Sequence, residues 1–521
     1  MQENQHYDAI IIGSGIGGLT TAVFLSKVYK QKVLVLEKHF VAGGQTHDFI
    51  RTHNGKKYRW DVGVHYIGEM KKNLFSRKLF DFLTDNKLKW QKMPYYFEKF
   101  VYPDFSFKQA SNPKDFQKDL IQKFPDEEVA ILQYFKDVKN APKWYQSKIS
   151  KSFMPTVVSK LSNLFSKNYE HLALQTTQEY MDAHFKNDQL KALLTSTWGD
   201  YGLPPEKSAF VIHCLVVRSY LFGGYFPVGG AGEIAKNMIP IIEKQGGKVL
   251  TGVSVTEIII EKGKAKGVKT LKSEKETNIY SDVIISDTGA YNTYIKLIPE
   301  DIPIPFRDEI KEATGNLSSM TLHIGFKENP KKLGVEGENI WIFSSYNHNQ
   351  VYRDSMKQEK IRSAFVSFPS LKDKNATNHT AEIIAFTNYD LYQKWKDSTW
   401  LKRDESYKKH KEALIKELLD FTEKQIPGFK NIVDFADLAT PLTMEFFTNW
   451  EKGSFYGIPP TPDRFKYKWI GSKTPIKNLY LTGTDAGTLG VLGALMGGFF
   501  TTASIKGIKG MMKLMKAIKT S

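Results

Sequence analysis

The sequence predicts an α/β fold, a parallel sheet wrapped by helices with an α+β unit inserted into it. Three observations carry the prediction. Residues 7–44, YDAIIIGSGIGGLTTAVFLSKVYKQKVLVLEKHFVAGG, read in order as strand, glycine turn, helix, strand and acid. Asn478–Gly483, NLYLTG, reads as another core strand near the far end and runs into Thr484-Asp485. Between them, Lys71–Ser219 does not alternate strand and helix, as an insertion into a parallel sheet would not.

The first stretch is the most specific. Asp8–Ile12 is a short apolar strand, and Gly13, Gly15 and Gly18 fill G-x-G-x-x-G at its end, with Gly17 beside them. The first glycine permits the tight turn, the second lets backbone amides reach a pyrophosphate, and the third lets helix and sheet pack closely. Leu19–Tyr29 has helical spacing, so its N-terminus can face the phosphates. Lys32–Leu36 is the second parallel strand and ends at Glu37, placed to accept from both ribose hydroxyls, with Lys38 next to it. Gly43 and Gly44 then resemble the second diglycine of FAD enzymes of the glutathione-reductase and amine-oxidase type. The far strand ending in Gly-x-Asp resembles the segment whose acid, here Asp485, binds the ribityl chain in those enzymes. The expected fold is thus a Rossmann-like FAD-binding domain of that type, and the expected cofactor is FAD.

At 521 residues the chain can bury a large core in two domains. Lys+Arg 73 against Asp+Glu 56 gives a formal charge of +17, which favours a polyanionic partner. No nucleic-acid motif accompanies it, so an anionic membrane surface is the expected partner. The single cysteine, Cys214, excludes an intrachain disulfide and a cysteine-based metal site, and points to a reducing compartment. The twelve histidines show no metal-ligand spacing, and no metal is expected. No n-region, h-region or cleavage site is read before the first strand, so no secretory segment is expected. The expected location is cytoplasmic, peripherally attached to a membrane.

Glu37–Gly44, EKHFVAGG, followed by Asp61–Gly68, DVGVHYIG, resembles the retinol saturase family, within the carotenoid isomerase and phytoene desaturase group. Phe226–Gly232, Ala439–Thr443 and Gly453–Arg464 match the same pattern, so the resemblance spans Tyr7 to about Ile508. It implies that Asp61–Gly68 lies by the flavin ring. His65 is then either flavin- or substrate-facing or a satisfied core histidine. His65, Tyr66 and Tyr456 are the candidate catalytic residues.

The remaining elements follow in order. Trp90–Phe107 is dense in aromatics and reads as strands, and Phe116–Lys139 has helical spacing. Lys143–Lys167 mixes lysines and aromatics without an acid, and is either a membrane-interface segment or a basic helix over the core. Gln178–Tyr201 and Ser208–Tyr220 read as helices, with Thr197–Pro204, TWGDYGLP, a loop whose Trp198 and Tyr201 face an apolar pocket. Glu233–Gln245 is a helix, and Lys248–Thr251, Ser254–Glu261 and Ser281–Ser286 are strands. The last of these leads to Asp287-Thr288-Gly289, which looks like the return to the FAD domain at its adenine side. Gly229–Gly232 lacks a surrounding strand–acid unit, so no NAD(P)H domain is expected, and electrons must come from an external donor. Ser318–Lys327, Asn339–Ser345, Ile361–Phe368 and Ala381–Asn388 read as an antiparallel sheet flooring a substrate chamber, and Arg403–Gln425 as an amphipathic helix.

The uncharged run after Asp485 nearly reaches the length of a membrane span. Its glycines and its position after a core strand make it a buried helix instead, whose N-terminus at Gly490, Val491 and Leu492 faces the flavin. Ile505–Thr520 carries Ile505, Ile508, Met511, Met512, Met515 and Ile518 on one side and lysines on the other. It is either a membrane-surface helix or a helix docked on the protein. The expected domains are 1–69, 221–300 and 470–505 for FAD, 70–220 and 301–469 for substrate, and 505–521 for the basic terminal helix.

The resemblance implies an FAD-dependent saturase of a conjugated polyene or isoprenoid lipid, of retinoid or carotenoid type. Two alternatives stay open: a carotenoid desaturase or cis–trans isomerase on the same scaffold, or a non-enzymatic prenyl-lipid escort protein. The intact glycine set with Asp485 argues against the last.

Overall fold

The structure, a computed structural model, describes residues 6–150, 169–315, 317–357 and 360–520. Its central element is a parallel sheet of five strands in the order Leu479–Leu481, Ile284–Ser286, Ala9–Ile12, Val33–Leu36, Lys248–Leu250. These strands are short and wholly or largely apolar, as strands covered on both faces must be. Three distant stretches of chain therefore meet in one sheet. The order reverses between Ala9–Ile12 and Ile284–Ser286, the switch point where open α/β sheets take ligands.

Helix Ile16–Tyr29 packs on this sheet, and helix Gly490–Lys519 packs on that helix. Their approach is set by glycine: a Cβ on Gly498 would stand 2.6 Å from the Gly17 carbonyl oxygen and from Thr20 Cβ. Thr501 and Thr502 return their hydroxyls to backbone carbonyls of the same helix, which satisfies them without water. Gly490–Lys519 is long and apolar enough to cross a membrane, but half of its most apolar stretch is buried inside the protein. It turns at Gly507, in the left-handed region at φ 69°, and Gly510, Leu514 and Ile518 beyond the turn are buried again. The terminal segment is thus docked by part of its apolar side, while Ile508 and Met512 stay exposed.

A second sheet of seven mixed strands runs Val433–Ala439, Leu317–Phe326, His379–Asn388, Ser363–Ser367, Asn339–Phe343, Tyr96–Val101, Ser106–Ala110. The strand Val433–Ala439 and the hairpin partner Lys275–Tyr280 escaped the sequence reading. The second turns on Ser273 and Glu274, both at positive φ, where glycine would normally have signalled the turn. The helical spacing of Phe116–Lys139 resolves into Pro113–Lys123 and Glu128–Ser150, divided by a 3-10 turn that begins at Pro125. In Lys143–Ser150, Trp144 is buried against Phe465, and the Tyr145 hydroxyl donates to the Gly487 carbonyl at 2.9 Å. That portion is anchored on the core by Trp144 while Lys143 and Gln146 stay exposed, and residues 151–167 of the basic segment lie outside the described residues.

Candidate cofactor cradle and active site

The glycine turn joins strand Ala9–Ile12 to helix Ile16–Tyr29, with Gly13 at φ 93°, a conformation other residues rarely adopt. Gly15 caps the helix in an extended conformation, and Gly17 and Gly18 form its first turn. A Cβ on Gly17 would stand 2.5 Å from the Gly483 backbone, and one on Gly44 would stand 2.9 Å from Gly15 Cα. The first glycine set, the Gly43-Gly44 pair and the C-terminal strand end therefore touch through backbone alone.

Glu37 ends the second strand and is buried. Its Oε2 accepts from the Ser14 amide at 2.9 Å and the Ser14 hydroxyl at 2.7 Å, and its Oε1 accepts from the His39 amide at 2.7 Å. The Ser14 hydroxyl in turn accepts from the Gly43 amide at 3.0 Å. Lys38 is exposed, with its ammonium 3.4 Å from the Phe446 carbonyl. Asp485 is buried: its Oδ2 accepts from the Ala290 amide at 2.8 Å, and the buried Arg464 guanidinium stands 3.6 Å from Oδ1. Gly490, Val491 and Leu492 open the long helix as expected, Gly490 at φ 73°.

These residues fit a dinucleotide. The turn presents amides at a helix N-terminus in a cradle that any Cβ would fill, and an acid stands at the end of the neighbouring strand. The strand before Asp287 returns the chain to the central sheet beside Ala9–Ile12, as the sequence predicts, and Asp287 lies over the glycine turn at the switch point. Gly230 and Gly232 press against Asp48 and Arg59, and the Ala231 amide donates to Asp61, so this second glycine run is engaged in packing.

Two of the three candidate catalytic residues, Tyr66 and Tyr456, meet at Gly199-Asp200, and His65 precedes Tyr66 in the chain. The Tyr66 hydroxyl donates to Asp200 Oδ2 at 2.6 Å, and the Tyr456 hydroxyl donates to the adjacent Gly199 carbonyl at 3.4 Å. His65 turns its Nδ1 to Glu382 Oε2 at 2.9 Å. Tyr66 stacks on Tyr220, ring centroids 4.2 Å apart. Tyr456 is held at φ 77°, a strained backbone for a bulky residue. Burial pushes the Asp200 carboxyl up to about 7, opposed by the Tyr66 hydrogen bond and by His65. It also pushes Glu98 up to about 8, reinforced by the Asp200 charge. Tyr66 is driven well above the ordinary tyrosine range, first by burial and then by Asp200.

Glu98 accepts from Trp341 Nε1 at 2.8 Å and from Asn339 Nδ2 at 3.3 Å. Asn339 also receives the buried Lys372 ammonium, which reaches the His65 carbonyl at 2.9 Å. Burial lowers Lys372 to about 8. Tyr66, Glu98 and Tyr220 line a cavity of about 20 Å³, room for one water. Sequence reading missed Asp200, Glu98 and Lys372. Asp200 alone left a trace, as the acid inside the aromatic run TWGDYGLP, where the structure has a 3-10 turn Ser196–Asp200 rather than an open loop. Trp198 and Tyr201, expected at a pocket, are fully buried.

The fold is a Rossmann-like one of the NAD(P)/FAD-binding kind with an additional α/β unit. Residues 11–84 match the family described as an NAD(P)-binding Rossmann-like domain. Among solved structures, cyclohexylamine oxidase from Brevibacterium oxydans superposes with a TM-score of 0.60 at 14% identity, over 98% of this chain and 100% of that one. The all-trans-retinol 13,14-reductase of Danio rerio is 33% identical, over 94% of this chain and 84% of its own length. The chloroplastic prolycopene isomerase of Arabidopsis thaliana is 26% identical over 92% and 78%. The chain belongs to the retinol saturase family, within the carotenoid isomerase group of FAD-dependent oxidoreductases.

Proposed function

We propose that the protein binds FAD and saturates one double bond of a conjugated polyene or isoprenoid lipid of retinoid or carotenoid type. The family supports the reaction class, and the hydrogen bond of Tyr66 to the buried Asp200, with Tyr456 bonded to the adjacent Gly199 carbonyl, supports the chemistry. Gly13, Gly15, Gly17 and Gly18 would hold the diphosphate, Glu37 the ribose, and Asp485 with the helix start Gly490–Leu492 the ribityl and ring end. Lys38 and the Gly43-Gly44 turn would complete the adenosine side. When bound and reduced, FAD supplies a hydride equivalent for one carbon of the double bond.

The neighbouring carbon must then receive a proton. A carboxyl held near 7 carries one at neutral pH and can release it, which is what a general acid requires. Tyr66 stays protonated and bonded to Asp200, so it can pass the proton on and be reprotonated. Tyr220, Phe365 and Trp341 surround the group with aromatic surface, which suits an apolar chain and excludes water. Electrons would reach the flavin from an external donor. The lipid would be drawn from an anionic membrane, with peripheral attachment through exposed Ile508 and Met512 among Lys509, Lys513 and Lys516.

The test is mass analysis of candidate polyenes after anaerobic incubation with the reduced, FAD-loaded protein. Saturation predicts a gain of two hydrogens. A loss of two hydrogens would assign a desaturase, and altered absorbance at constant mass an isomerase. A protein that binds lipid but purifies colourless and takes up no FAD would be a carrier.

A further inference from the structure

Strand Ile284–Ser286 ends where the sheet order reverses, and the next residue, Asp287, stands in the middle of the candidate cradle. Its amide donates to the Ile12 carbonyl at 2.8 Å, which fixes its backbone beside the glycine turn. Its side chain then lies across that turn. A Cβ on Gly15 would stand 2.5 Å from Asp287 Oδ2, one on Gly18 2.9 Å from the same atom, and one on Gly17 2.7 Å from Oδ1. From the far end of the chain, a Cβ on Gly483 would stand 2.5 Å from Oδ1. Four glycines thus make room for a carboxyl group at the place where the turn offers its amides to an anion. Asp287 Oδ2 is buried and has no hydrogen-bond partner of good geometry. A buried polar atom in that state is costly unless a ligand completes it.

The titratable groups around Asp287 are acids. Glu37 faces it from the end of strand Val33–Leu36. The turn Gly483–Asp485 brings Asp485, whose carboxylate is turned to the Ala290 amide and Arg464. The glycine turn and the first turn of helix Ile16–Tyr29 carry no titratable side chain. An ionised Asp287 would therefore meet the incoming diphosphate with repulsion and compete for the same amides. A neutral Asp287 has an O–H to give to a phosphate oxygen.

We propose that Asp287 belongs to the diphosphate-binding site as a neutral hydrogen-bond donor, so that the dinucleotide binds the form of the protein in which this carboxyl holds its proton. The inference rests on the FAD reading above. Burial, followed by the Glu37 charge, raises the Asp287 carboxyl to about 8, against the opposing pull of the Gly18 and Gly15 amides. The proton is thus in place at neutral pH. Two further negative charges beside it would hold that proton more tightly, so binding above about pH 8 takes up one proton.

The experiment titrates the full-length apoprotein with FAD, and in parallel with ADP, across neutral to alkaline pH. ADP carries the diphosphate without the flavin, whose own titration then cannot mimic the effect. Wild-type affinity for FAD should be level up to about pH 8 and fall toward tenfold per pH unit above it, and ADP, whose terminal phosphate is already fully ionised by about pH 8, should show the same fall above that value. Asp287→Asn keeps a donor at every pH, so its affinity should stay level. Calorimetry of the wild type in two alkaline buffers of different ionisation enthalpy should report uptake of about one proton, a measurement that needs no variant. Wild-type affinity independent of pH, no proton uptake, or the same alkaline decline in Asp287→Asn would each overturn the proposal while leaving FAD binding intact. Much weaker FAD binding by folded Asp287→Asn at neutral pH would overturn it too, since the carboxylate would then be needed as an acceptor. A wild type that binds neither FAD nor ADP at any pH would remove the cofactor reading and this inference with it.

Discussion

Replacing Asp200 with asparagine removes one proton and almost no volume. The parent carboxyl, at about 7, is roughly nine-tenths protonated one pH unit below that value and one-tenth protonated one unit above it. A rate that needs the protonated form is therefore level in mild acid and falls about tenfold per pH unit above 7. In Asp200→Asn the donor is gone, and the proton-dependent step should slow by about 10²–10⁴, the usual contribution of a placed general acid. The alkaline limb should vanish with it. Tyr66→Phe removes the relay hydroxyl and should slow the step as well, but the position of its residual alkaline limb has a predictable sign. The Tyr66 hydrogen bond lowers the Asp200 pKa, so its loss should move the limb to higher pH. Stability gives a second readout. A carboxyl raised on folding contributes stability that is full below the ordinary carboxylate value and is lost as pH rises through about 7, so Asp200→Asn should melt no lower than the parent in mild alkali. The assay is single-turnover polyene reduction by anaerobically reduced protein, with the flavin spectrum confirming equal loading. An Asn variant within threefold of the parent, or one that keeps the alkaline limb, would refute the reasoning.

Two further outcomes are expected. Glu37→Ala leaves the Ser14 amide, the Ser14 hydroxyl and the His39 amide without their acceptor, and should weaken FAD binding by roughly 1–3 kcal/mol in a fluorescence titration; unchanged affinity would remove Glu37 from the site. Ile508→Glu with Met512→Glu alters only exposed side chains of the terminal helix and should abolish salt-sensitive flotation with anionic liposomes while leaving thermal stability nearly unchanged. If the double variant still floats, the attachment lies elsewhere on the chain.

The parts of the fold legible from sequence are those set by local rules. The glycine turn, its helix and the two flanking strands obey period and spacing within forty residues, and their boundaries shift by only a few positions. The apolar run after Asp485 packs closely on helix Ile16–Tyr29 through its glycines, with half of its most apolar stretch buried, in line with its glycine and threonine content. The acids of the candidate site were not legible, because Asp200 acquires its character from Tyr66, 134 residues away, and Glu98 from Trp341, 243 away. Nothing local distinguishes such an acid from a solvated one. The terminal helix shows the opposite failure: its periodicity was plain, yet helical spacing alone could not say that Leu514 and Ile518 would dock while Met512 would not.

The contacts of the glycine cradle also bear on when it can bind. Gly17 meets Gly483, Gly44 meets Gly15, and Gly498 meets the Gly17 carbonyl, each at a separation that admits no side chain. The cradle is therefore assembled from the first and last parts of the chain, and neither part presents it alone. Strand Leu479–Leu481 reaches the sheet only by pairing with Ile284–Ser286, which itself pairs with Ala9–Ile12. A ligand that binds this assembly and not the open chain stabilises the whole fold by mass action, by about 2.7 kcal/mol at a hundredfold excess over its dissociation constant. Closing the chain ends and loading the cofactor are, on this geometry, one coupled equilibrium. The protonation of Asp287, which joins Gly15 and Gly18 to Gly483, sits at its centre.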